Sequence, residues 1–165
     1  MLKFYAGIGS RQTPPDMLQS MSKIAALLTE KGYVLRSGGA QGADLAFEQG
    51  AGLAKRIYLP WIGFAPEGIP CGDDPLLQEI AQRYHPAWDR LSRGGRALMT
   101  RNAAQISGFG SEGGIRSEFV VCWTPLGKGG GGTGQAIRHA LDLGIPVFDL
   151  ALGKRPLWDF MKGMA

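Results

Sequence analysis

Three glycine-rich turns constrain this chain more than any other feature, because each stands at the end of an apolar segment and ahead of a helical one. They are Gly7-Ile8-Gly9-Ser10-Arg11, Ser37-Gly38-Gly39-Ala40-Gln41-Gly42 and the run Gly129 to Gly134. A strand, a tight turn and a helix repeated along a chain are the mark of parallel right-handed crossovers. Glycine makes up 26 of the 165 residues, well above the usual ~7%. The glycines cluster and keep no three-residue period, which excludes a collagen-like fibre.

The segments between the turns follow the same plan. Lys3 to Ile8 is an apolar strand. Thr13 is placed as a helix N-cap with Pro14 in the first helical position and Asp16 in the first turn. Met17, Leu18, Met21, Ile24, Ala25 and Leu28 then recur at helical spacing as far as about Lys31, and Gly32 stops the helix. Tyr33-Val34-Leu35 is a second strand, a helix runs from about Gln41 to Gly50, and Arg56 to Pro60 is a third strand. Trp61 to Asp74, with its prolines, glycines and paired aspartates, reads as a loop able to act as a lid. Asp74-Pro75 caps a helix whose buried face carries Leu76, Leu77, Ile80, Ala81 and Tyr84. A further helix is expected over Ala97 to Ile106. Glu118 to Trp123 is a buried strand, Gln135 to Leu143 a helix, and Ile145 to Leu150 the last strand. No repeat and no long linker divides residues 1–165. The expectation is one α/β domain, a three-layer Rossmann-like sandwich around a mostly parallel five-stranded sheet.

Composition excludes several classes. Charged residues are 19% of the chain, below the ~25% of an average globular protein and unlike a disordered one. No apolar run approaches a membrane span, and MLKFYAGIGS lacks the apolar stretch of a signal peptide. The two cysteines, Cys71 in the loop and Cys122 in a strand, make no disulfide scaffold. The expected location is cytoplasmic.

In a parallel sheet the three glycine turns gather at the carboxyl edge of the strands, where helix N-termini present free N–H groups to an anion. A phosphate ligand follows. Neither the Walker pattern nor the third glycine of the dinucleotide fingerprint is present, so ATP hydrolysis and hydride transfer lose support. The net charge of +4 favours anionic partners. Arg83, Arg90, Arg93, Arg96 and Arg101, interleaved with Tyr84 and Trp88, suit phosphates and stacked bases, or equally a solvated helix face. Trp61 is a second stacking candidate. His85 and His139 are far apart and read as surface or helix-packing residues; with two cysteines they form no metal set. Ser10 and Ser37 lie outside G-x-S-x-G and have no histidine base.

Gly9-Ser10-Arg11 after the first strand and Ser37-Gly38-Gly39-Ala40-Gln41-Gly42-Ala43-Asp44 after the second resemble the Rossmann-like core of the DprA/Smf family. Arg101-Asn102 and Thr133-Gly134-Gln135-Ala136 extend the resemblance over nearly the whole chain. It places the chain among SLOG-type proteins, with weaker similarity to the LOG phosphoribohydrolases. The resemblance implies a ligand site built from Gly9, Ser10, Arg11, Ser37, Gly38, Gly39, Ala40, Asp44, Arg101, Asn102, Gly131, Gly132, Thr133 and Gly134. It also implies a homodimer or higher homo-oligomer and no required cofactor beyond the nucleotide phosphate itself.

The LOG pattern G-G-x-G-T-x-E-E is broken here, since Gln135 and Ala136 replace both acids and Asn102 replaces a lysine. N-glycosidic cleavage builds positive charge on the ribose, and a carboxylate is its usual stabiliser. Asp44 and Glu112 are the substitutes to examine, although Asp44 also has an ordinary role at a helix start. No catalytic residue is assigned. Three functions stand: binding of a nucleotide or nucleotide-derived ligand without turnover, DprA-type binding of single-stranded DNA along Arg90, Arg93, Arg96 and Arg101, and phosphoribohydrolysis with rearranged acids.

Overall fold

A computed structural model of the chain describes residues 1–164. Among them are six strands: β1 (Lys3–Gly7), β2 (Tyr33–Ser37), β3 (Lys55–Leu59), β4 (Ile69–Pro70), β5 (Val120–Cys122) and β6 (Val147–Asp149). All pair in parallel, in the order β4-β3-β2-β1-β5-β6. The helices are α1 (Pro15–Glu30), α2 (Ala43–Ala51), α3 (Pro75–Tyr84), α4 (Arg93–Ser107), α5 (Gly131–Asp142) and α6 (Arg155–Lys162).

The two-residue alternation of the strands decides which helix covers which face. Tyr5, Leu35, Phe119 and Val121 pack with Met21, Ile24 and Leu28 of α1, Phe47 of α2, and Leu157 and Met161 of α6. Ala6, Val120 and Cys122 point the other way, onto Ile106 of α4 and Ala136 and Ala140 of α5. Tyr58 of β3 joins Leu77 and Ala81 of α3 and Ala103 and Ala104 of α4 on that second face. Helices therefore cover both sides of the sheet, the condition an all-parallel sheet requires.

Several expectations are corrected. The sheet has six strands rather than five, because the proline-rich stretch after β3 places Ile69 and Pro70 beside Tyr58 and Leu59. A proline lacks the N–H of a ladder, which confines such a strand to the sheet edge and hides it in the sequence. Thr13 is not the N-cap of α1. Pro14 occupies that position, and the Thr13 hydroxyl donates to Ser10 O at 2.6 Å, closing the turn before the helix. The helix expected from Ala97 begins at Arg93, where Ser92 Oγ accepts from Gly95 N at 3.0 Å. Gly94 and Gly95 concealed that first turn. Likewise α5 starts inside the glycine run, at Gly131. Cys71 is buried rather than in an open loop, since Cys71 N donates to Leu59 O and ties the segment to β3. Helix α6 was not anticipated at all.

Helices α1 and α2 approach closely at Gly50, where a Cβ would run into the Ser22 carbonyl of α1. Ser22 Oγ donates to Ala46 O at 2.8 Å across the same contact. Overpacking is expected to outweigh the gain in helix propensity from Gly50→Ala, lowering stability by about 2 kcal/mol. The measurement is a lower urea midpoint at unchanged slope.

Candidate functional site

The strand order reverses between β1 and β5. The chain leaves β1 towards β2 on one side and returns at β5 on the other, so the loops after these two strands diverge at the carboxyl edge and open a crevice. A cleft of about 720 Å³ lies there. Gly9, Ser10 and Arg11 line it from the β1 loop, Gly39, Ala40 and Asp44 from the β2 loop and α2, Arg101 and Asn102 from α4, and Gly131, Gly132 and Thr133 from α5.

Local chemistry shapes each wall. Ser10 Oγ accepts from Gln12 N at 3.0 Å and holds the β1 loop in a tight turn. Gly39 and Gly42 have φ of +70° and +86°, a region that glycine enters without strain, and they turn the chain from β2 into α2. On the far side, the Thr124 hydroxyl donates to Asp149 and accepts from Gly129 N at 2.9 Å. This anchors the start of the glycine run to β6. Neither α2 nor α5 has a side-chain N-cap, so the first N–H groups of both are left without a side-chain acceptor at the cleft.

Arg101 is 5% exposed and makes up part of the floor. Its guanidinium donates to Gly38 O and to Tyr58 O, and Nε donates to Asn102 Oδ1 at 2.9 Å. Asn102 Nδ2 in turn donates to Gly132 O at 3.2 Å, linking α4 to the glycine run. Phe64 covers the guanidinium with its ring centroid 5.4 Å away. Asp44 accepts from Ala40 N at 3.3 Å. Burial pushes its carboxyl up to about 6, against the opposing pull of the Arg101 charge and nearby N–H groups. Burial lowers Arg101, with Asp44 opposing.

Three of the residues singled out in the sequence stand behind the cleft wall. Ser37 is fully buried and its hydroxyl donates to Gly7 O at 2.6 Å, joining the ends of β2 and β1. Gly38 presents its carbonyl to Arg101, and a Cβ there would collide with the guanidinium. Gly134 is buried inside α5. Arg90 and Arg93 are exposed outside the cleft, whereas Arg96 is half-buried, with Nε donating to Trp88 O at 3.3 Å and its guanidinium over the Trp88 ring. Helical rise puts Arg93 about 7.5 Å along α4 from Leu98, the first α4 residue on the cleft.

Gln135 does not reach the cleft: it is buried, with Nε2 donating to Met99 O at 2.8 Å. Glu112 is held by Arg56 at 2.9 Å, away from the cleft. Asp44 is the one carboxylate among the described residues that line it. Sequence reasoning passed over Phe64 and Lys128, both of which line the cleft. Lys128, an isolated cation between Gly127 and Gly129, carried a readable signal; Phe64 carried none. Trp61 meets Phe64 edge-on at 5.6 Å and is 45% exposed.

No helix among the described residues is long and apolar enough to cross a membrane. No family model and no curated protein matches this sequence. Among solved structures, the DNA processing protein A of Helicobacter pylori, described for its single-stranded DNA binding mode, is similar at a TM-score of 0.59 and 26% identity. The likeness covers 90% of this chain, which spans 64% of that protein's chain. The chain is thus similar to DNA processing protein A through its Rossmann-like parallel sheet with helices on both sides.

Proposed function

We propose that the chain binds single-stranded DNA, with a phosphate of the strand seated in the cleft between the β1 loop and the glycine run. The observation that carries this reading is the convergence of Arg11, Lys128 and the uncapped starts of α2 and α5 on one cleft. Arg11 and Lys128 line the cleft, are exposed and form no ion pair with any described residue, so their charges have no protein counter-ion. Helix starts and free cations together favour a phosphate. The likeness to a single-stranded DNA binding protein adds the polymer to that phosphate. Arg90, just before α4, and Arg93, its first residue, lie outside the cleft and extend the positive rim along which a strand continues. The proposal includes a homodimer, to be checked by sedimentation.

Binding of a fluorescent oligothymidine tests the proposal. Affinity is expected to fall roughly tenfold or more between 50 and 200 mM salt, since counterion release drives such binding. Charge reversal at both Arg11→Glu and Lys128→Glu is expected to weaken it at least ~10-fold and to flatten the salt dependence by about 1.4 in slope, 0.7 for each lost phosphate contact. Unchanged affinity in that double variant would sink the reading.

The size of the cleft favours a second reading, a free nucleotide held in the same place. That reading expects one mononucleotide to raise the melting temperature at high salt, where oligothymidine does not. Turnover by the LOG route lacks its carboxylates, because Gln135 and Ala136 occupy those positions and Asp44 is engaged with Ala40 N.

A further inference from the structure

The far ends of α4 and α5 help to enclose a second cavity, of about 540 Å³, against α3 and residues 108–114. Its body is apolar, with Leu77, Ile80, Phe109 and Leu143 on the walls. His139 contributes to it although the residue is only 3% exposed. The imidazole stacks on Tyr84 at 4.8 Å with 18° between the planes, and Nε2 lies 3.1 Å from Ser107 Oγ. Nδ1 is buried and has no hydrogen-bond partner among the described residues. Burial pushes the ring down to about 4, and the charges of Arg116 and Arg83 add to that effect while Asp142 opposes it. The ring is therefore neutral at pH 7.

Arg83 and Arg116 line the same cavity, both exposed, and neither has a carboxylate within ion-pair distance among the described residues. Two acids are close by: Asp74, on the cavity wall, accepts from Leu77 N at 2.9 Å, and Asp142 accepts from the Tyr84 hydroxyl at 2.5 Å. Two exposed guanidiniums with no carboxylate in ion-pair contact offer charge-assisted donors to an anion at the mouth of an apolar cavity. An apolar cavity with a few convergent polar groups is the common form of a small-molecule site.

We propose that this cavity is a second ligand site for a small organic acid, whose apolar body lies among Leu77, Ile80, Phe109 and Leu143 and whose anionic head meets Arg83 and Arg116. The head is a carboxylate or a phosphate monoester. Ser107 Oγ and His139 Nε2, 3.1 Å apart, form a polar pair in the lining. The site is independent of the cleft at the carboxyl edge: it uses the opposite ends of α4 and α5, and its validity does not depend on nucleotide or DNA binding.

Octanoate and phenyl phosphate are the probes, with 1-octanol as the neutral control. The chain has two histidines, so the His139 imidazole proton signals are assigned by comparison with His139→Gln. A saturable rise in melting temperature and a shift of the His139 signals are expected with at least one acid probe and not with 1-octanol. The tighter of the two acids identifies the head group. The double variant Arg83→Gln/Arg116→Gln, altered at two exposed positions, is expected to bind that acid at least tenfold more weakly while its melting temperature without ligand is unchanged. Absence of saturable binding by both acids overturns the proposal. So does equal binding by 1-octanol, or undiminished acid binding in the double variant.

Discussion

Arg101→Met is expected to lower the stability of the folded chain by about 3–5 kcal/mol, the usual loss when one member of a buried, charge-assisted network is removed. Methionine keeps much of the side-chain volume, so little of the loss is a cavity effect. The loss comes from acceptors. Gly38 O and Tyr58 O give up the donors Arg101 supplies, and Asn102 Oδ1 gives up Nε. An unsatisfied buried acceptor costs about 1–3 kcal/mol. Asp44 also loses the positive charge that opposes its desolvation, so its carboxyl moves further up. Urea unfolding followed by circular dichroism reads the stability. Oligothymidine binding of the variant, measured well below its melting temperature, separates two roles. Weakened binding together with the stability loss makes Arg101 a positioning residue that sets the Gly38 turn and the Gly132 carbonyl. Binding lost with stability unchanged would instead make it a direct phosphate ligand and would contradict the geometry of the floor.

That distinction shows what the sequence made legible. The glycine turns, the parallel crossovers and half of the cleft-lining positions were readable, because strand-turn-helix periodicity and glycine spacing are local signals. Arg101 was readable as a cation near the glycine run. Its occupation by Gly38 O and Tyr58 O was not, because both acceptors come from strands and loops more than forty residues earlier in the chain. Arg36 teaches the same lesson more sharply. The apolar run Tyr33-Val34-Leu35 marks the second strand in the sequence, and arginine is rarely buried. Instead β2 runs through Arg36 to Ser37, and Arg36 has no exposed surface. Its guanidinium lies 3.8 Å above the Phe4 ring centroid and donates to Ile115 O at 2.5 Å. The segment around Ile115 covers it, and nothing near residue 36 announces that cover. The edge strand β4 and the start of α4 escaped for the opposite reason: proline and glycine there are local signals, and they point to loops. Tertiary pairing overrode them.

The pH dependence of stability should expose two buried groups that oppose each other. Asp44 has its carboxyl raised from an ordinary 3.8 to about 6 by burial. The folded state then holds the proton more tightly than the unfolded one, so this group destabilises the fold above pH 6 and the penalty is relieved as pH falls from about 6 towards 3.8. His139 has its ring lowered from 6.5 to about 4, first by burial and then by Arg116. Here the unfolded state binds the proton more tightly. The contribution of the neutral ring is fully present above pH 6.5 and is lost as pH falls from 6.5 towards 4. Each shift corresponds to about 3 kcal/mol over its range, and the two ranges nearly coincide. In the unaltered chain they are expected to offset each other between pH 6.5 and 4. Asp44→Asn removes the relief, so that variant should lose about 2–3 kcal/mol more than the unaltered chain over this interval. His139→Gln removes the opposing loss and should lose correspondingly less. Urea midpoints at half-unit steps from pH 7 to 4, taken on all three proteins, provide the check. The remaining carboxylates titrate in common and cancel in the comparison. Parallel profiles for Asp44→Asn and the unaltered chain would mean that Asp44 titrates near 3.8, and with it would fall the picture of a carboxyl held largely out of water on the floor of the cleft.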